Sequence, residues 1–157
     1  MVRKLLYNFC PGTLMSPYIN PENATTERNR LKKGIVLAIR ELQSQSERND
    51  LTRDLIAFIL IALEEITQSV DDSVQAWEKR GYWLKADRFR MEWDWARILS
   101  ERLRPNVLAE NYEAIIPDML AITQALKDLT IAKHHRLGTP WVGCWDKLTR
   151  PSAHKLR

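Results

Sequence analysis

The residues most able to do chemistry are two adjacent acidic pairs, three histidines and one cysteine near the C-terminus. Glu64-Glu65 and Asp71-Asp72 fall within one long apolar-periodic segment. Helical nucleotide pyrophosphohydrolases hold magnesium through Glu-x-x-Glu and Glu-x-x-Asp pairs. Positions 68 and 75 are both Gln, so that spacing fails here. Helical di-metal carboxylate sites need Glu-x-x-His pairs facing each other across a bundle. The first histidine is His134, followed by His135 and His154, so no such pair forms. His134 and His135 are neighbours and point apart on a helix or a strand. Cys144 lies near them, but nothing in the pattern orients a histidine toward its thiol. The stretch from Gly138 to Gly143 lacks the Lys-Ser/Thr of a phosphate loop, and Pro140 removes a backbone donor. The expectation is therefore a non-enzymatic chain with no catalytic residues, no metal site and no cofactor.

Aromatic and cationic residues carry more information. Trp77, Tyr82, Trp83, Phe89, Trp93 and Trp95 fall within 19 residues, interleaved with Lys79, Arg80, Lys85, Arg88 and Arg90. Trp77, Phe89 and Trp93 sit on apolar stripes and read as core. Trp83 and Trp95 lie off the stripe. They are either covered by an arm of the chain or exposed as interface anchors, a role in which Trp and Arg are enriched. A second aromatic group follows in the tail, where Trp141 and Trp145 stand among Gly and Pro. These two either plug a groove of the bundle or dock onto a partner. The candidate partner-binding residues are Trp83, Lys85, Arg88, Arg90, Trp95, Arg136, Trp141 and Trp145. The expected partner is another protein or a second copy of the chain. The alternative is a nucleic-acid-binding subunit of a ribonucleoprotein or effector complex, since stacking aromatics among cations also suit single strands.

The run from Trp77 to Trp95, together with Gly138-Thr-Pro-Trp-Val-Gly143, resembles small uncharacterised helical proteins of cyanobacteria over about residues 20–147. The resemblance implies a cytoplasmic, photosynthesis-linked setting and brings no catalytic residues with it. In size and helical class the chain is also similar to the small helical subunits of CRISPR effector complexes, without a shared motif.

Charge is unevenly spread over the 157 residues. The overall +4 divides into −3 over residues 21–132, +2 over the first 20 residues and +5 over residues 133–157. The body is mildly acidic and the ends are basic, a pattern suited to an arm for an anionic partner. Two cysteines, Cys10 and Cys144, do not make a disulfide framework, so the composition reads as that of a reduced, cytoplasmic protein. The apolar run Leu5-Leu6-Tyr7 is too short for a signal-peptide core. The longest uncharged apolar run, Leu55 to Leu63, has nine residues, against about 20 for a membrane span.

The elements that must position these residues are helices. Residues 1–20, punctuated by Pro11-Gly12 and Ser16-Pro17, read as an irregular N-terminal arm. A first helix begins near Pro21, with Asn20 as its cap, and carries Leu31, Ile35, Ile39 and Leu42 on one stripe. A second starts at Asn49 or Asp50 and carries a near-heptad seam of Ile56, Ile59, Leu63, Ile66, Val70, Val74 and Trp77. It stops at Gly81. A third runs from Tyr82 to Leu103 with Tyr82, Ala86, Phe89, Trp93, Ala96, Leu99 (or Ile98) and Leu103 inward, and Pro105 ends it. A fourth helical region spans about 106–132, kinked or broken at Pro117, with Ile115, Met119, Ile122, Leu126 and Leu129 as its seam. The expected fold is all-α: an antiparallel bundle of four main helices over residues 21–132, with an irregular, basic, Trp-containing tail over 133–157.

Overall fold

The computed structural model describes residues 21–150, and among them every regular element is helical. The elements are α1 (Pro21–Ser44), α2 (Asp50–Lys79), α3 (Trp83–Leu108), α4 (Tyr112–Ala125) and α5 (Cys144–Thr149). The expected caps Asn20, and the arm that contains Cys10, lie outside the described residues.

Both ends of α2 are set by local chemistry. The Asn49 side chain accepts from the Thr52 amide at 3.1 Å, while the Asn49 amide donates to Thr52 Oγ1 at 3.2 Å. This reciprocal capping box satisfies two backbone donors that the helix cannot. At the other end Gly81 adopts φ +80°. The Tyr82 amide reaches the Trp77 carbonyl and the Gly81 amide reaches the Glu78 carbonyl, both at 3.0 Å. That is a Schellman closure, and it turns the chain directly into α3.

The seam read for α2 is buried from Ile56 to Val74, with Trp77 half-buried at its end. Leu55, Phe58 and Leu60 are buried too, so the first half of α2 is covered on most sides. Three elements cover it: α1, α3 and α5. Arg28 meets Ser69 and Ser73, whereas Gly34 faces Phe58, so α1 runs against α2. Glu78 meets Arg90 and Glu64 meets Arg104, so α3 also runs against α2. α4 packs chiefly on α3, where Arg102 Nη2 lies 2.6 Å from the buried Asp118 carboxylate.

Four expectations are corrected. Tyr82 is exposed rather than inward, because the Schellman turn carries it past the end of the seam. Pro105 lies inside α3, which continues to Leu108. Burial of Leu103 and Val107 on either side holds the backbone helical despite the missing donor. α4 begins at Tyr112, not near 106, and runs through Pro117 to Ala125 without resuming afterwards. Asn111 caps it, accepting from the Ala114 amide. Between α3 and α4, Glu110 adopts φ +52°, held there by Arg53 Nε at 2.6 Å and the Tyr112 hydroxyl at 3.1 Å. Finally, the tail is not wholly irregular: residues 144–149 form α5, and Trp141 and Cys144 belong to the hydrophobic core.

A carboxylate is trapped where α1, α2 and α5 converge. Burial first, then the like charge of Glu27, pushes the Glu65 carboxyl up to about 7, against the pull of Lys147 and Arg30. An acid with a raised native pKa binds more protons folded than unfolded over the intervening window. Stability therefore falls as pH rises from about 4.5 to 7, and the full penalty stands above 7. Glu65→Gln is expected to stabilise the fold by about 1–2 kcal/mol near pH 8, after discounting for its partial exposure. Melting temperatures would show the gain at about pH 8 and lose it near pH 4.5; an equal gain at both would refute the burial cause.

Candidate functional site

The end of the molecule at the α2–α3 turn is apolar and open to solvent. Tyr82 is 56 % exposed, Trp83 62 % and Leu84 65 %. They cluster because Gly81 ends α2 so tightly that the next residues project beyond the core. Trp77, Phe89 and Glu92 form the floor and flank of an open depression of about 560 Å³, and Trp83, Lys85 and Arg88 stand on its rim. Trp77 and Phe89 pack edge to face with centroids 4.9 Å apart. The Lys85 ammonium sits 4.3 Å above the Trp77 ring, and Arg88 is exposed.

The eight residues singled out from the sequence separate into groups. Trp83, Lys85 and Arg88 come together at this depression. Arg90 does not join them: it ties α3 to α2 through Glu78 at 2.6 Å and pairs with Asp87 at 2.9 Å. Trp95 is half-buried and stacked on Trp93, with centroids 6.3 Å apart and planes 25° apart. Arg136 is exposed on the segment leading to the tail. Trp141 is buried against Phe58, edge to face at 6.4 Å, and Trp145 is half-buried beside it. The tail tryptophans thus close the bundle over the first half of α2.

Three residues that hold this arrangement carried no functional weight in the sequence reading. Arg28 is only 5 % exposed. Its guanidinium donates to Ser69 Oγ at 2.8 Å, Ser73 Oγ at 3.4 Å and Thr25 Oγ1 at 3.3 Å, and lies over the Phe89 and Trp93 rings. Burial lowers its pKa, and the negative charge of Glu92 opposes that shift. Its position three residues before Leu31, in line with Ile35 and Ile39, was the available signal: a cation on an apolar stripe. Asp118 gave the same signal, three residues after Ile115 and four before Ile122. Asp54 gave none. It lies on the flank of α2, and its carboxylate accepts from the Gly143 amide at 3.1 Å and the Trp145 amide at 2.9 Å.

Two further chemical candidates are taken up in contacts within the fold. The Cys144 thiol is buried and donates to the Pro140 carbonyl at 3.4 Å; burial pushes its pKa up to about 11, the reverse of an activated nucleophile. Glu64 is engaged by Arg104 at 2.5 Å. Among the described residues no three His, Cys, Asp or Glu side chains are grouped to hold a metal ion, and no helix is long and apolar enough to cross a membrane. Comparisons with protein-family models, with curated proteins and with solved structures find no match.

Proposed function

We propose that this protein is a non-enzymatic adaptor or assembly subunit, an antiparallel helical bundle that holds a protein partner on the aromatic end of its α2–α3 hairpin. The supporting observation is the contiguous exposure of Tyr82, Trp83 and Leu84 around one depression. Large apolar side chains left exposed together are the usual mark of an interaction surface. Lys85 and Arg88 on the rim suit a partner segment that places an apolar side chain beside acidic neighbours. The central contact is Trp83, with Tyr82 and Leu84 excluding water around it.

The test is retention of a partner from an extract of the native cells by the wild-type chain and by two variants. Trp83→Ala is expected to weaken capture at least tenfold, equivalent to about 1.4 kcal/mol. Because Trp83 is mostly exposed, its melting temperature should stay within a degree or two of wild type. Arg88→Glu should weaken capture and slow association without altering the fold. Undiminished capture by both variants would remove the hairpin from the interface.

The nucleic-acid reading draws on the same rim and on Arg136. Arg90, taken up by Glu78 and Asp87, and Trp141, taken up by the core, leave it fewer contacts than the sequence offered.

A further inference from the structure

The aromatic depression lies beside the start of α1. Arg28 on α1 reaches Ser73 on α2 and covers Phe89, one of the residues lining the depression. Pro21 is seven residues earlier in α1, about 10 Å further along the same direction. On α2, the same distance beyond Ser73 leads to about Arg80, next to the Gly81 turn. The chain therefore enters the bundle level with the groove.

Twenty residues precede that point. Residues 11–20 carry no charge, and Leu14, Met15, Tyr18 and Ile19 fall within them. Seven extended residues span about 23 Å, enough to cross the groove from the first turn of α1. Arg3 and Lys4 are far enough from this stretch that the cations Lys85 and Arg88 do not oppose it. The other end of the chain fits poorly. α5 is anchored at Asp54, 23 residues along α2 from Trp77 and so about 35 Å away. Residues 151–157 carry Lys155 and Arg157, like in sign to Lys85 and Arg88 at the groove.

We propose that the groove formed by Trp77, Tyr82, Trp83 and Phe89 is the docking site of residues 13–19 of the same chain, with Leu14, Met15, Tyr18 and Ile19 supplying the apolar contacts. A tethered segment acts at an effective concentration of about millimolar, so modest affinity keeps it in place. That docking stands independently of any partner. Its consequence rests on the adaptor reading: a partner for this groove competes with the chain's own arm, and the arm sets the affinity threshold.

Cys10 provides a probe in the full-length chain. The Cys144 thiol is buried and its pKa lies at about 11, so a nitroxide reagent under native conditions labels Cys10. In the ¹⁵N-labelled chain, Trp83→Phe assigns the Trp83 indole signal, and Trp141, at the opposite end of α2, serves as reference. The Trp83 indole is expected to broaden severalfold more than that of Trp141. Leu14→Asp with Tyr18→Asp should abolish the difference. Equal broadening of the two indoles, or a difference that survives the double substitution, overturns the proposal. So does broadening in a mixture of nitroxide-bearing unlabelled chains with nitroxide-free ¹⁵N chains, which would make the occupant a second copy. Neither result depends on capturing a partner, so a failed capture experiment leaves this one intact.

Discussion

Trp141→Ala should destabilise the protein by about 3 kcal/mol, the lower end for removing an aromatic side chain from a core. Trp141 stands edge-on to Phe58, which is fully buried among the largest core residues. Phe58 also lies against the bare face of Gly34, where a Cβ would come within 2.9 Å of the ring tip. Trp141 thus supplies part of the cover of this ring, and deleting it opens that part to water. The segment that holds Trp141 has few other attachments: two amides on Asp54, the Cys144 side chain and the short α5. Its undocking should appear as loss of hydrogen-exchange protection at the Gly143 and Trp145 amides, alongside the lower urea midpoint. Val142→Ala, at a position 71 % exposed in the same segment, should change stability by no more than about 0.5 kcal/mol. A Trp141→Ala cost below about 1 kcal/mol would mean that the tail is a covering and not a part of the core.

Arg28→Ala should cost about 2–4 kcal/mol, while Arg28→Met should cost less than about 1. The alanine variant loses the hydrogen bonds of a charged donor to Ser69, Ser73 and Thr25 and its cation–π contacts with Phe89 and Trp93, and leaves a void beneath those rings. The methionine variant keeps most of the volume and removes the cost of burying a charge. The hydroxyl of Ser73 already donates to the Ser69 carbonyl at 3.0 Å, so it is not stranded when the guanidinium goes. Urea denaturation of the two variants separates these roles. Equal losses would assign the stability to the charge itself rather than to the volume and contacts around it.

Arg28 and Trp141 also mark where the sequence was legible and where it was not. The seam of α2, the stripe of α1 and the Gly81 stop could be read directly, because burial imposes a 3.6-residue period and a left-handed φ calls for glycine. Pro105 misled, since it interrupts a donor but not the burial of Leu103 and Val107, while at Pro117 the helix continues, as one of the two readings allowed. Packing outweighed propensity at Pro105. At the candidate site, Trp83, Lys85 and Arg88 came together as their proximity in sequence implied, because one helix start carries all three. Arg90 was legible as a residue type but not as a role, whereas the plug role of Trp141 was one of the two readings the sequence left open. Their partners, Glu78, Asp54 and Phe58, lie on a different helix, and no period within one segment encodes a contact between segments.

The Asp54 carboxylate joins residues 89 and 91 positions apart in sequence. The hairpins of α1, α2 and α3 close through contacts between consecutive elements, which form quickly. The clasp on Asp54 must wait until residues 143–145 have emerged, about 90 positions after Asp54 itself. During synthesis the apolar first half of α2 is therefore left without its last cover while α3 and α4 are being made. A chain stalled or cut before Trp141 would present Phe58 to solvent, with Gly34 offering no side chain to hide it. The order of the sequence thus makes the emergence of residues 141–145 the event that seals this part of the core.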